Sequence, residues 1–136
     1  MSLKMKKIRR CTHKKQLEES ENFTPHFNEK GLIPCITTSA KTGQVLMMAW
    51  MNKKAIEQSM ETGEAHYWSR SRNELWHKGA TSGHIQKIIE MRIDCDQDCL
   101  WIIVEMKDEI SCHTGRQSCF YRLVSKGKNE ILRLFH

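Results

Sequence analysis

From Gly31 onward the apolar residues come in short runs separated by turn residues, and this spacing constrains the fold more than any other feature. Runs of that kind build a core from strands and short helices. None approaches the ~18 consecutive apolar residues that a membrane span needs. The N-terminus lacks the charged, apolar and small-residue succession of a secretory signal, so a soluble, cytoplasmic protein is expected. With 136 residues, the chain has the length of one domain.

The elements follow from local signals. "LIPCITTSA" and "QVLMMAWM" flank Lys41-Thr42-Gly43, which predicts a hairpin, because glycine supplies the positive φ of a tight turn. Asn52 is a helix N-cap for "KKAIEQSMET", whose Ala55, Ile56, Ser59 and Met60 share a face, and Gly63 is its stop. "EAHYWSRSR" alternates as a strand does, and Gly79 and Gly83 break the chain after it. From His84, one parity holds Ile85, Ile89, Met91 and Ile93 and the other Gln86, Glu90, Arg92 and Asp94, as in a half-buried strand. "CLWIIVEM", "FYRLV" and "EILRLF" complete the strands. The class is α+β, mostly antiparallel strands with one helix, and there is no internal repeat.

Residues 1–30 form a basic, weakly structured arm, and the domain occupies 31–136. The chain has 22 Lys+Arg against 16 Asp+Glu. Lys4, Lys6, Lys7, Arg9, Arg10, Lys14 and Lys15 precede any acid; without these seven the balance is 15 to 16. Basic arms bind nucleic acid in some proteins, but a solvated tail is the commoner case, so no nucleic-acid partner is expected. Six cysteines in a chain without a secretory signal point to reduced thiols or metal ligands. Cys11 lies in the arm, and Cys35 lies in an apolar run as a buried, inert thiol.

Three clusters carry chemistry. In Asp94-Cys95-Asp96-Gln97-Asp98, an extended strand would place three carboxylates on one face and Cys95 on the other. So many charges in one place suit a hard divalent cation such as Mg²⁺; the alternative is a solvated acidic turn. An EF-hand is excluded because Cys99 stands where that loop needs glycine, and "LWIIV" follows where it needs a helix. Cys112-His113-Thr114-Gly115-Arg116-Gln117-Ser118-Cys119 is a loop between strands whose thiols suit Zn²⁺. Cys95 would make three thiolates and leave an open position, although ordinary thiols give the same spacing. Finally, Arg70, Arg72, Lys78 and Ser82 lie among Trp68, Trp76, Gly79 and Gly83, either as a phosphate-binding group or as a solvated basic edge. His66, His77 and His84 are surface residues or acid–base groups alike.

Taken in order, "VLMMAWMN", "HYWSRSRNELWHKGATSGH", "DCDQD" and "SCHTGRQSCFYR" resemble the phosphoribosyl-AMP cyclohydrolase family of histidine biosynthesis, over about Gly31 to Val124. The resemblance implies hydrolysis of the N1–C6 bond of 1-(5-phosphoribosyl)-AMP by a homodimer that requires zinc and magnesium. It makes Asp94, Asp96 and Asp98 the magnesium ligands and Cys95, Cys112 and Cys119 the zinc ligands, with Cys95 from the opposite subunit. Zinc hydroxide would attack C6, with His113 as general acid/base and Arg70, Arg72, Lys78 and Ser82 binding the substrate. Cys99 lies outside the pattern and is expected to be structural. The chain ends too early for the pyrophosphohydrolase domain sometimes fused to this activity, so one activity is expected. A nucleobase deaminase is excluded, since H-x-E with P-C-x-x-C is absent.

Overall fold

The computed structural model describes residues 20–124 and the strand Leu132–Leu134; the basic residues Lys4 to Lys15, with Cys11 and His13, lie outside the described residues. The predicted hairpin forms as β1 (Ile33–Ser39) and β2 (Val45–Met51), with Gly43 at φ +75° in its turn. The predicted helix, α1, is Lys53–Thr62. The Asn52 side chain accepts a hydrogen bond from the Ala55 amide at 2.8 Å, and left-handed Gly63 ends the helix by donating its N–H to the Ser59 carbonyl. Ala55, Ile56 and Ser59 are the buried face.

After the helix come β3 (His66–Ser69), β4 (Glu74–His77), β5 (Lys87–Ile93) and β6 (Leu100–Glu105). β7 (Arg122–Val124) and β8 (Leu132–Leu134) pair as a separate antiparallel ribbon. The "HYWSRSR" strand is therefore shorter than its alternation predicts: Arg70, Ser71 and Arg72 turn, with Asn73 at φ +52°, and "ELWH" returns as β4 against β3.

The main sheet has the order β4-β3-β2-β1-β6-β5. Its pairs are antiparallel except β1 with β6, in line with the expected mostly antiparallel α+β arrangement. Two strands so far apart in sequence can align in parallel because α1 and four strands supply the long crossover such a pair needs. The sheet also curls onto itself. Glu64 bridges Lys87, the Ala65 amide donates to the Gln86 carbonyl at 2.9 Å, and the Ile88 amide donates to the Gly63 carbonyl at 2.7 Å.

Inside the curl lie Ile33, Cys35, Leu46, Met51, Ile56, Tyr67, Leu100 and Ile102. The Tyr67 hydroxyl, fully buried, pairs with Thr37 Oγ1 at 2.8 Å and donates to Gln86 Oε1 at 2.5 Å. Gln86 is buried too, although the alternation put it on the polar parity. The reason is a bulge: Ile88 opposes Val104 and Glu90 opposes Ile103, leaving Ile89 as the extra residue. Before it the even positions Gln86 and Ile88 face inward; after it Met91 and Ile93 do, and Ile89 is exposed.

Candidate active site

The acidic cluster is built by a turn. β5 stops at Ile93, so Asp94 to Asp98 are not extended, and the strand alternation predicted for the three carboxylates and Cys95 does not apply. The Asp94 carboxylate accepts from the amides of Asp98 and Cys99 at 3.0 and 3.1 Å, folding the turn over its own side chain. The three acids nevertheless meet: one ligand oxygen from each of Asp94, Asp96 and Asp98 lies within 4.8 Å of the others. Hydrogen bonding to Asp96, then burial, then Asp94 raise the Asp98 carboxyl to about 6.

Gln97, which sequence reasoning passed over, holds this turn. It sits at φ +57° and is buried. Its carboxamide oxygen accepts from the Thr24 amide at 2.7 Å, its amide nitrogen donates to the Asn22 carbonyl at 3.2 Å, and its own carbonyl accepts from the His26 amide at 2.6 Å. Residues 22–26 are thereby fastened to the acid turn. Together they shape a cleft of about 560 Å³ lined by His26, Phe27, Pro34, Trp50, Asp96 and Asp98. The Arg70 guanidinium lies 5.1 Å from the Trp50 ring centroid, beside this cleft. Arg72 is engaged with Ser69 Oγ and Glu74 in the β3–β4 turn.

Cys112 and Cys119 are brought side by side within hydrogen-bonding reach. The loop between them turns at Gly115, φ +86°, and is anchored on β2, where the Cys119 amide donates to the Leu46 carbonyl at 2.7 Å. Burial opposes ionisation of Cys112, but the Thr114 hydroxyl, which donates to Sγ at 3.0 Å, the Thr114 backbone, Cys119 and Arg116 outweigh it and lower its pKa. Burial and then Cys112 push Cys119 up to about 11, against the pull of Lys78. Lys78 is buried, and its ammonium donates to the Ser111 carbonyl at 2.6 Å, so it stands against the thiols. Ser82 is exposed, and its hydroxyl accepts from the His84 amide at 3.3 Å. Of the proposed phosphate group, then, Arg70 sits by the acid cleft and Lys78 by the thiols.

Cys95 is exposed and does not join the other two thiols: among the described residues the Asp trio is the group of three or more His, Cys, Asp or Glu close enough for one ion. Cys35 is buried and burial, with Cys99, raises its pKa far above the usual thiol range. His113 is exposed. His66 and His77 stack at 4.2 Å, with His77 Nε2 2.7 Å from the Glu64 carboxylate. His84 Nδ1 lies 2.5 Å from Asp108 Oδ2, a pairing across 24 residues that nothing in the sequence announces.

The phosphoribosyl-AMP cyclohydrolase family model matches residues 47–121, which span both the acid turn and the thiol loop. A Nitrobacter winogradskyi protein of that name is 53% identical over 119 residues, covering 88% of this chain and 81% of the relative. A Brucella canis protein of the same name is 54% identical over 123 residues, covering 89% and 88%. Among the described residues no helix is long and apolar enough to cross a membrane.

Proposed function

Because this chain belongs to the phosphoribosyl-AMP cyclohydrolase family and is a hydrolase of histidine biosynthesis, we propose that it opens the purine of phosphoribosyl-AMP at the N1–C6 bond with two metal ions, at a site shared by two subunits. The crowded acids fit a hard cation. An Asp98 carboxyl raised to about 6 by its neighbours marks repulsion that a divalent ion relieves, and oxygen donors suit Mg²⁺. Asp94, Asp96 and Asp98 would hold it. Two adjoining thiols suit zinc, with Cys112 held below the ordinary thiol pKa by Thr114, Cys119 and Arg116. Cys112 and Cys119 would hold zinc together with Cys95 of the partner subunit.

When bound, zinc supplies the nucleophile, by lowering the pKa of a coordinated water to ~7. His113, next to Cys112 and exposed, would take a proton from the water, while the ring carbon C6 needs no strong acid because N1-ribosylation makes it electrophilic. Arg70 and Arg72 would pair with substrate phosphate, and Lys78 and Ser82 would position the ring near the thiols. A second copy has an apolar surface to meet. Met48, Ile36 and Trp101 sit in register across β2, β1 and β6 and are 41%, 37% and 37% exposed.

The observation that carries this reading is the pairing of Cys112 and Cys119 at one place and the acid trio at another. Cys112→Ser should lose zinc and ring-opening activity together, whereas Cys35→Ser should keep both. A zinc-free Cys112→Ser enzyme that still opens the ring refutes the zinc assignment.

A further inference from the structure

Hydrolysis at C6 moves protons at two places, from the water and onto the departing N1. The reading above supplies a group for the first. The loop between β4 and β5 offers one for the second. It is tied at both ends to the segment that carries the thiols: Lys78 Nζ donates to the Ser111 carbonyl at 2.6 Å, and His84 Nδ1 meets the Asp108 carboxylate at 2.5 Å. Between these ties the loop is compact, with the Gly83 amide on the Gly79 carbonyl at 2.8 Å. A Cβ on Gly79 would lie 2.3 Å from the His84 carbonyl carbon, so the backbone itself fixes where His84 stands.

A cleft of about 910 Å³ near this loop has Leu46, Glu64, Ile85, Lys107, Glu109 and Gln117 among its walls. Ile85 follows His84, Lys107 and Glu109 flank Asp108, Gln117 belongs to the thiol loop, and the Leu46 carbonyl holds Cys119. Lys78, at the start of the same loop, lies within electrostatic reach of Cys119 and Cys112, so the loop that carries the His–Asp pair also stands by the thiols. A carboxylate on Nδ1 orients the ring and stabilises the imidazolium, leaving Nε2 to act. His66 and His77 are instead stacked on each other and bound to Glu64.

We propose that His84, held by Asp108, is the general acid that protonates N1. In the amidinium form of the substrate, the water oxygen bonds to C6, one water proton passes to His113, and the C6–N1 π electrons move to N1. The C6–N1 bond then breaks with its electron pair on N1, which takes the proton from His84 Nε2. The C6 carbonyl forms as the remaining hydroxyl proton leaves for solvent, and solvent reprotonates His84. This rests on the cyclohydrolase reading.

The test compares zinc- and magnesium-loaded wild type, His84→Ala, His84→Gln and Asp108→Asn. Turnover of His84→Ala should fall roughly 10²–10⁴-fold with KM changed only a few-fold. Added imidazole should restore part of it in proportion to concentration, and Asp108→Asn should lose less and gain nothing from imidazole. His84→Gln, which keeps a donor for Asp108, should melt and hold zinc as wild type does and still be slow. Near-normal turnover in His84→Gln, or a slow His84→Ala that imidazole cannot raise, overturns the assignment and leaves His84 a loop staple. A wild-type protein that fails to open phosphoribosyl-AMP defeats the cyclohydrolase reading itself.

Discussion

A carboxylate crowded by two others resists giving up its proton, and Asp98 carries that cost in the acid turn. Its folded pKa of about 6 is above the ordinary value of 3.8. The folded protein therefore binds this proton more tightly than the unfolded chain, so the associated stability is full below the ordinary value and is lost as pH rises through about 6. In a chelator at about pH 7.5, Asp98→Asn should melt higher than wild type, and at about pH 4 the two should coincide. Equal melting at both pH values would show that the three acids do not repel one another in the folded protein. The same residues should govern magnesium and leave zinc alone. Asp96→Asn should keep its zinc while needing more magnesium for half-maximal activity, as titration of activity with MgCl₂ will show; an unchanged response would make the trio a solvated turn.

At the scale of elements, what the sequence made legible was whatever local chemistry decides. Asn52 and Gly63 bound α1 because a capping amide and a left-handed glycine act within four residues of the helix ends. The β1–β2 hairpin and the apolar β6 were legible for the same reason. Features set by distant partners were not. The bulge at Ile89 depends on how β6 lies beside β5. The parallel β1–β6 pair depends on a crossover, and the turn at Asp94 depends on Gln97 gripping residues 22–26. The motifs named the acids and the thiols, but Asp108 opposite His84 and Lys78 under Ser111 are products of the closed sheet. Two glycines separate the local effect from the tertiary one. Gly63 and Gly79 both have positive φ, yet a Cβ meets nothing within 4 Å at Gly63 and meets the His84–Ile85 backbone at 2.3 Å at Gly79. Gly79→Ala should thus cost clearly more than the ~1 kcal/mol expected of a backbone mismatch alone, and more than Gly63→Ala. Comparable denaturant midpoints for the two variants would mean that the loop after β4 yields freely.

For the whole molecule, the important fact is where the two candidate metal sites stand on the curled sheet. Leu100, just after the acid turn, pairs with Cys35 near the start of β1; Val45, beside the Leu46 that holds Cys119, pairs with Thr38 near its end. Three steps of strand, about 10 Å at ~3.3 Å each, separate the two pairings, and Cys95 is exposed in the acid turn. One chain therefore keeps Cys95 from Cys112 and Cys119, whereas two copies in two-fold symmetry can bring the first of each to the pair of the other. Mixing inactive Cys95→Ala with inactive Cys112→Ala, under conditions in which differently tagged chains exchange subunits, decides the matter. In a hybrid dimer with shared sites, one site lacks both thiols and the other has all three, so up to half of a wild-type dimer's activity should return per hybrid. If each site lay within one chain, both halves of the hybrid would still lack a ligand and the mixture would stay inactive. Exchange without recovery would then require Cys95 to reach its own chain's thiols by a rearrangement of the β5–β6 turn, and would remove the reason for a shared site.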